Sequence, residues 1–429
     1  MTPPRRLAGA LATALLALPL VACSGDEEER DDEDAVEVAP VPPAQVTLTA
    51  SVNGPVRIGV VVSSVGSGAE GTDVLGLAQG AMVAQSRLAG GGVEVEILGR
   101  DDRGTADGAV AVVDELVADG VSGIVLATAG DHVGPALERA AEAGVPVLAP
   151  YLLGTDLPTG TWSTAPSAEA VDAGLATALA AVTVSQPYVL TIGSAETPDV
   201  PGARSGSFGS DAVGAAVTAV AEAVEADAID SVVLAGAAAD QARFVQGIQT
   251  VADVPVVLTP DALSPVFADV LAASGGVLSA QFLTVGPDAT DATTLLEGAA
   301  GDSAAAYFAA LRTLTADASA VDVLGRPFDV NGADADIASH DAVVALVRAV
   351  EAAGSSVPAD VAQALPDVAV DAADGLAGPA LTFATPQALA DDAVVVLTST
   401  TQDPGVRAVI ATAGPDAQHL FWLAVPAGA

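Results

Sequence analysis

Lysine is absent from this sequence of 429 residues, and cysteine, histidine and the aromatic residues are scarce. All 14 basic residues are arginines, against 55 acids, and the formal net charge is −41. Phosphate contacts need clustered basic side chains, so nucleic acid is not expected as a partner. The acidity indicates a solvated surface, with a specific acidic recognition surface as the alternative. With aromatic residues at 3%, the core has to consist of alanine, valine and leucine.

Catalytic and metal-binding motifs are also scarce. The histidines, at positions 132, 340 and 419, are too few and too scattered for a metal cluster, and no G-x-S-x-G motif occurs. Residues 329–336 space their acids as a calcium-binding loop does, but the final glutamate is missing, which favours a solvated surface loop. His340 is expected to pack within its helix, whereas His132 is a candidate for recognition. The sequence therefore predicts no metal, no cofactor and no catalytic activity.

The first 23 residues have the pattern of an export signal. Arg5 and Arg6 precede an apolar run at residues 7–21, which is short and alanine-rich for a membrane span. The run ends in Leu-Val-Ala-Cys, which resembles the lipobox of bacterial lipoproteins, with Cys23 as the lipidated residue. Because Cys23 is the only cysteine, no disulfide competes for it. We expect an extracytoplasmic protein that is anchored to the cell membrane by lipid on Cys23.

Residues 24–54 are predicted to form an acidic, disordered tether between the lipid and the folded part. Residues 26–34 contain eight acids and one arginine, and low-complexity sequence with prolines follows. A block of like charge cannot collapse and stays extended. The remaining chain is long enough for two domains of ordinary size.

From residue 56 onward, strand and helix patterns alternate. The predicted strands are residues 56–64, 93–97, 121–127 and 145–149, and the predicted helices are residues 73–88, a segment that Thr105 caps and Gly120 ends, and residues 135–143. Such alternation implies parallel strands joined by right-handed crossovers, with ligands bound at the carboxyl ends of the strands.

The alternation pauses at residues 153–164, which are predicted as a loop, and then restarts. The later helices are predicted at residues 167–182, 208–224, 240–251, 264–273, 303–315 and 339–353. The later strands are predicted at residues 188–192, 231–235, 255–258, 277–284, 394–397 and 406–410, and near Phe421.

Nine short segments occur in an order that is typical of one known family. They are Ile58-Gly-Val-Val-Val, Ala89-Gly-Gly-Gly, Gly99-Arg-Asp-Asp, Asp119-Gly-Val-Ser-Gly-Ile-Val, Ala143-Gly-Val-Pro-Val, Trp162-Ser-Thr-Ala-Pro-Ser, Ser339-His-Asp-Ala-Val, Glu351-Ala-Ala-Gly-Ser and Gly375-Leu-Ala-Gly-Pro-Ala-Leu-Thr-Phe. Together with the lipobox, they resemble the type I periplasmic binding proteins of the branched-chain amino acid and amide class, the solute receptors of ABC importers. The resemblance covers the chain from about residue 56 to the C-terminus.

The resemblance implies an α/β fold with two doubly wound parallel-sheet lobes joined by three crossing strands. The N-terminal lobe would contain residues 55–165 and 287–375, and the C-terminal lobe residues 166–286 and 376–429. A small polar solute, such as an amino acid or an amide, would be captured between the lobes by hinge closure and passed to ABC permease subunits. Helix N-termini that point into the gap would hold polar groups through backbone N–H donors.

In the N-terminal lobe, the resemblance places candidate ligand contacts after the third and fourth strands. The hydroxyl that holds a solute carboxylate falls at Gly130, beside Thr128, Ala129 and Asp131, and Tyr151 follows the fourth strand. A second hydroxyl position falls near residue 153, which is leucine. Both hydroxyls are therefore missing, although the backbone N–H groups remain.

In the C-terminal lobe, the acid that pairs with a solute ammonium falls at Asp261. The aromatic residues that cover an amino-acid solute fall near Thr197 and Ala238, and neither residue is aromatic. With Asp131 and Asp261 in the cleft, a cationic or neutral polar solute is favoured over an anion. Because these hydroxyl and aromatic residues are missing, an alternative stays open, in which a degenerate binding fold serves as a scaffold or sensor input without transport.

The glycine-rich loop after the first strand carries the remaining candidate. Residues 66–71 match G-x-G-x-x-G, but the turn at residues 63–65 is too loose for that motif, so a dinucleotide is not predicted. The loop is interpreted as a flexible segment at the edge of the cleft, with Ser67 as a candidate ligand contact.

Overall fold

The fold is known from a computed structural model that describes residues 46–64, 75–152, 157–182, 184–407 and 420–425. The predictions for the signal, Cys23, most of the tether, Ser67, Leu153, His419 and most of a strand at residues 406–410 concern residues outside these ranges, and the described residues 406–407 are not in a strand. In the described part, no single helix is long and apolar enough to cross a membrane, and one bent pair of helices, residues 337–353 and 358–367, meets that test by length and composition.

The first sheet consists of five parallel strands in the order β2-β1-β3-β4-β5. They are β1 (Val56–Val62), β2 (Val95–Asp101), β3 (Gly123–Leu126), β4 (Val147–Ala149) and β5 (Thr161–Ser163). The helices between them are α1 (Gly80–Gly90), α2 (Ala106–Asp119) and α3 (Gly134–Ala143). Strand β5 was not predicted, since it is three residues long and lies in a segment that reads as loop.

Local capping chemistry fixes the helix ends that the sequence predicts best. Thr105 accepts a hydrogen bond from the backbone N–H of Gly108 (3.1 Å) and starts α2, as predicted. Gly120 ends α2 at φ +70°, a left-handed conformation that side chains other than glycine rarely adopt. The helix between these caps therefore has the predicted bounds.

The second sheet has seven strands in the order β14-β13-β10-β9-β8-β6-β7. They are β6 (Pro187–Ile192), β7 (Arg204–Phe208), β8 (Ser231–Ala235), β9 (Val256–Leu258), β10 (Leu283–Pro287), β13 (Val394–Thr400) and β14 (Phe421–Ala424), and a separate pair of short strands is formed by β11 (Ala369–Val370) and β12 (Leu381–Thr382). Strand β13 is antiparallel to both of its neighbours, whereas β6 to β10 are parallel. The helices α4 (Ala168–Ala181), α5 (Val213–Glu225), α6 (Ala238–Ile248) and α7 (Pro265–Ala273) accompany this sheet.

Three later helices return to the first sheet. They are α8 (Ala299–Ala316), α9 (Ile337–Ala353) and α10 (Pro358–Ala364). Helix α9 is buried along most of its length and shares a core with the residues of β1, and His340 lies in that buried part as predicted. Leu376, Leu381, Phe383 and Leu389 belong to the same core. The exact division of the chain between the lobes stays a prediction.

The first and last connections between the sheets lie side by side. Ser163, at the end of β5, donates its backbone N–H to Pro386 O (2.8 Å) and accepts from Ala388 N (2.8 Å). The Gln387 side chain donates to Ala165 O (2.6 Å). These paired segments, with the third connection between β10 and α8, match the three predicted crossings, so the expected fold class is confirmed.

Candidate functional site

The carboxyl edge of the first sheet carries two serine–aspartate pairs on neighbouring strands. Ser63 and Ser64 follow β1, while Asp101 ends β2 and Asp102 comes next. The Ser63 hydroxyl donates to Asp102 Oδ1 (2.6 Å), and the Ser64 backbone N–H (3.0 Å) and hydroxyl donate to Asp101. Partial burial opposes ionisation, but the hydrogen bonds from Ser64 and Arg103 hold the pKa of Asp101 below its usual value. Both acids are therefore held as acceptors at this edge.

The loop after β3 joins the same network. Thr128 Oγ1 lies 2.8 Å from Ser63 Oγ, and His132 Nε2 lies 3.0 Å from Asp102 Oδ2. Thr128 and Asp102 are fully buried and His132 is nearly so. Gly130 has φ +124°, a conformation that favours glycine, so a serine or threonine at this position would strain the backbone. The shape of this loop therefore favours glycine at position 130.

Tyr151 contacts the residue that caps helix α9. Its hydroxyl donates to Asp336 Oδ1 (2.8 Å), and Asp336 caps α9 by accepting from Ser339 N (3.0 Å). Burial and the neighbouring Asp336 carboxylate raise the pKa of the Tyr151 hydroxyl well above its usual value. Burial also raises the pKa of Asp336 to about 6, although its hydrogen bonds act in the opposite direction. The prediction of residues 329–336 as a solvated loop therefore does not hold for Asp336, because it is half-buried and hydrogen-bonded to Tyr151 and Ser339.

The raised pKa of Asp336 predicts a pH-dependent effect of Asp336→Asn. Because the folded protein holds this proton more tightly, the free energy of unfolding falls as pH rises from about 4 to about 6 and is constant above. Asparagine can still cap the helix, so the variant should gain on the order of 2 kcal/mol relative to the wild type across this window. Urea denaturation at several pH values measures the difference. Asp329→Asn, at an exposed acid on the preceding loop, controls for the lost charge, and a pH-independent difference for Asp336→Asn would contradict the assignment.

The carboxyl edge of the second sheet carries a linear chain of hydrogen bonds. Gln241 lies near the start of α6. Its Nε2 group donates hydrogen bonds to Gly236 O (2.7 Å) and to Thr259 Oγ1 (2.8 Å). Thr259, which follows β9, donates its hydroxyl to Asp261 Oδ2 (3.0 Å). Gln241 is fully buried, Thr259 is buried and Asp261 is exposed. The sequence indicated Asp261 but not Gln241, and the only signal for the latter was its place in a helix that follows a buried strand.

The predicted contacts fall into two groups. Thr128, Ala129, Gly130 and Asp131 follow β3 at the first edge, and Ala238 and Asp261 follow β8 and β9 at the second edge. Ala238 is fully buried at the start of α6, whereas Asp131 and Asp261 are exposed. Their roles in binding stay predictions. In the described ranges, no group of three or more histidine, cysteine, aspartate or glutamate residues is arranged to hold a metal ion.

The comparisons with known proteins decide the family. A family model described as "Periplasmic binding protein" matches residues 55–402. The chain belongs to the periplasmic binding protein family. No curated protein matches it. Solved structures of similar fold are substrate-binding proteins, so the family and these neighbours are binders and not enzymes.

Three of these structures show how far the similarity extends. The substrate-binding protein LivJ of Streptococcus pneumoniae, solved with isoleucine, is 14% identical at a TM-score of 0.63, covering 86% of this chain and 100% of its own. A substrate-binding protein from Desulfitobacterium hafniense, solved with leucine, is 17% identical at a TM-score of 0.59, covering 83% of this chain and 99% of its own. A solute-binding protein from R. palustris, solved with 4-hydroxybenzoate, is 13% identical at a TM-score of 0.59, covering 87% of this chain and 96% of its own. Identities this low establish the fold alone.

Proposed function

We propose that the chain is the extracytoplasmic solute-binding receptor of an ABC importer. A small polar solute would bind between the two carboxyl edges and would leave chemically unchanged. The observation that carries the proposal is the pairing of two polar strand edges in a fold that the periplasmic binding protein model matches over residues 55–402. Ligands of doubly wound sheets bind at the carboxyl ends of the strands, where these polar groups lie.

The connections between the sheets support a hinge mechanism. The segments around Ser163 and Gln387 are held together by backbone and side-chain hydrogen bonds, so they would bend as one unit. Rotation about such a short pair would bring the two edges together over the solute. The closed form would then be presented to permease subunits. The proposal keeps the lobe boundaries predicted from the sequence.

The proposed location rests on the N-terminal sequence. The export signal and the lipobox at Cys23 would place the receptor outside the cytoplasm and tie it to the membrane by lipid. The acidic segment at residues 26–34 would keep the folded part away from the surface. Membrane fractionation tests the anchor: the chain should sediment with membranes, and Cys23→Ser should release it.

A thermal-shift screen of the full chain in detergent tests the receptor proposal. The solutes are amino acids, amides, amines, polyamines and osmolytes, each at millimolar concentration. A solute at 100 times its Kd stabilises the folded state by about 2.7 kcal/mol, which should raise Tm by several degrees. A flat profile over the whole set would contradict the receptor proposal and favour the alternative, a scaffold or sensor input.

A further inference from the structure

We infer that the cleft selects a small organic cation and does not hold a solute carboxylate on side-chain hydroxyls. The inference rests on the proposed function and deepens it by naming the class of solute. It comes from the directions of the described hydrogen bonds of Ser63, Ser64, Thr128 and Thr259 at the two strand edges, which leave none of these four hydroxyls a proton for the solute.

At the first edge, the hydroxyl protons of Ser63, Ser64 and Thr128 all point to neighbouring protein atoms. A carboxylate accepts hydrogen bonds and has no proton to give, so the proton of Ser63 lies on its 2.6 Å bond to Asp102. Ser63 can then only accept from Thr128, which places the single hydroxyl proton of Thr128 on that 2.8 Å contact. The hydroxyl of Ser64 is committed to Asp101 in the same way. Thr128, which is fully buried, thus has no proton left for a solute.

At the second edge, a donor chain runs in one direction toward Asp261. Gln241 Nε2 has two protons, and both are used, on Gly236 O (2.7 Å) and on Thr259 Oγ1 (2.8 Å). Because Thr259 accepts from Gln241, its own proton points to Asp261 Oδ2 (3.0 Å). Thr259 is therefore a positioning residue that orients the Asp261 carboxylate, and neither Gln241 nor Thr259 has a proton left for a solute anion.

Gln241 provides separate evidence that a hydrogen-bond donor of the solute would be favoured at the second edge. Its Oε1 atom is buried and has no hydrogen-bond partner among the residues that the structure describes, and the whole side chain is fully buried. Oε1 and Nε2 share one amide carbon, so Oε1 lies at the same strand ends as the contacts of Nε2. A buried acceptor without a partner costs about 1–3 kcal/mol, so an N–H donor that reached Oε1 would be favoured there.

The charges at the two edges favour the same class. Asp131, exposed on the loop after β3, and Asp261, exposed after β9, would both face a bound solute. At physiological ionic strength, charges farther than about 8 Å from the solute are largely screened. The preference for a cation therefore comes from these two local acids and not from the net charge of the chain. An ammonium or guanidinium group provides several N–H donors and a positive charge. A zwitterionic amino acid would bring the same donors together with a carboxylate that the hydroxyls of Ser63, Ser64, Thr128 and Thr259 do not receive.

Matched solutes test the inference on the full chain in detergent by isothermal titration calorimetry. The pairs are arginine and agmatine, ornithine and putrescine, and leucine and 3-methylbutylamine, in which the second member lacks only the carboxylate. 4-Methylpentanoate, which lacks only the ammonium of leucine, is the anion control. We expect at least one amine to bind and every binding amine to exceed its amino acid by tenfold or more, with no binding of 4-methylpentanoate.

Variants at the second edge separate the site from a general charge effect. Asp261→Asn should weaken amine binding about tenfold to a hundredfold, the range of a charge-assisted hydrogen bond. Asp253→Asn, at an exposed acid beyond the amino end of β9, removes the same charge and should leave the Kd unchanged within twofold. Thr259→Val should weaken binding severalfold, and Thr259→Ser, which restores the hydroxyl, should recover it.

The outcomes distinguish the two proposals. Amino acids that bind as tightly as their amines, binding of 4-methylpentanoate, or a best solute in the wider screen without a cationic group would overturn the inference and leave the receptor proposal standing. Equal effects of Asp261→Asn and Asp253→Asn would also overturn it. If no solute in the pairs or the screen binds at all, the receptor proposal fails, and the inference fails with it.

Discussion

Asp341→Ala is expected to lower the free energy of unfolding by about 3–5 kcal/mol, the largest single-residue effect that we expect. Asp341 lies in α9 with a side chain that is 7% exposed. It accepts from the backbone N–H groups of Ala377 and Gly378, each at 2.8 Å, and its Oδ1 lies 2.7 Å from His340 Nδ1. Alanine would leave all three of these polar groups without their acceptor, two of them in buried residues and one in the half-buried Gly378.

The effect is enlarged by a buried cation in contact with the same network. Arg87 NH1 lies 2.9 Å from His340 Nε2, and Arg87 is almost fully buried. Burial lowers the pKa of Arg87 to about 10, and the negative charge of Asp341 acts against this shift. Removal of Asp341 would therefore leave a buried positive charge with a weaker counter-charge. Burying a charge without its partner is costly, and this cost adds to the lost hydrogen bonds.

Guanidinium chloride denaturation measures the change, with Asp114→Ala as the matched control. Asp114 pairs with Arg139 at 2.6 Å, but both side chains are substantially exposed. An exposed pair of this kind contributes about 0–1 kcal/mol. If the two variants lose similar free energy, the Arg87–His340–Asp341 network does not hold the first lobe together in the way described.

The elements that the sequence predicts well are those with local signals at both ends. Helix α2 is fixed by the Thr105 cap and by Gly120, so its bounds need no tertiary information. Strand β7 (Arg204–Phe208) is polar and mostly exposed, and it gives no alternating pattern to find. Strand β10 was predicted at residues 277–284 and is observed at Leu283–Pro287, because its register depends on pairing with β13 more than 100 residues later.

The residues of the candidate site likewise include some that the sequence predicts and some that only the fold reveals. That Thr128, Asp131 and Asp261 follow strands could be predicted from the sequence, because the strands themselves were recognised. The partners of these residues could not be predicted, since Ser63, Asp102 and Thr128 are brought together only by the order β2-β1-β3 in the sheet. The direction of a hydroxyl proton depends on that arrangement. A preference for the solute class therefore becomes visible only in the fold.

Closure of the two lobes over a solute is the second large effect that we expect, and it tests the account most directly. In a Cys23→Ser background the chain has no other cysteine, so two introduced cysteines can be spin-labelled without competition. Glu138→Cys and Asp269→Cys place the labels on exposed positions of α3 and α7, the helices that follow β3 and β9. Arg57→Cys with Glu138→Cys gives a control pair within the first lobe.

Distances between the labels would be measured by double electron–electron resonance, with and without a saturating amount of the solute that gives the largest thermal shift. The account predicts that the distance between positions 138 and 269 shortens by several ångströms while the distance between positions 57 and 138 stays the same. A bound solute that leaves both distances unchanged would contradict capture between closing lobes.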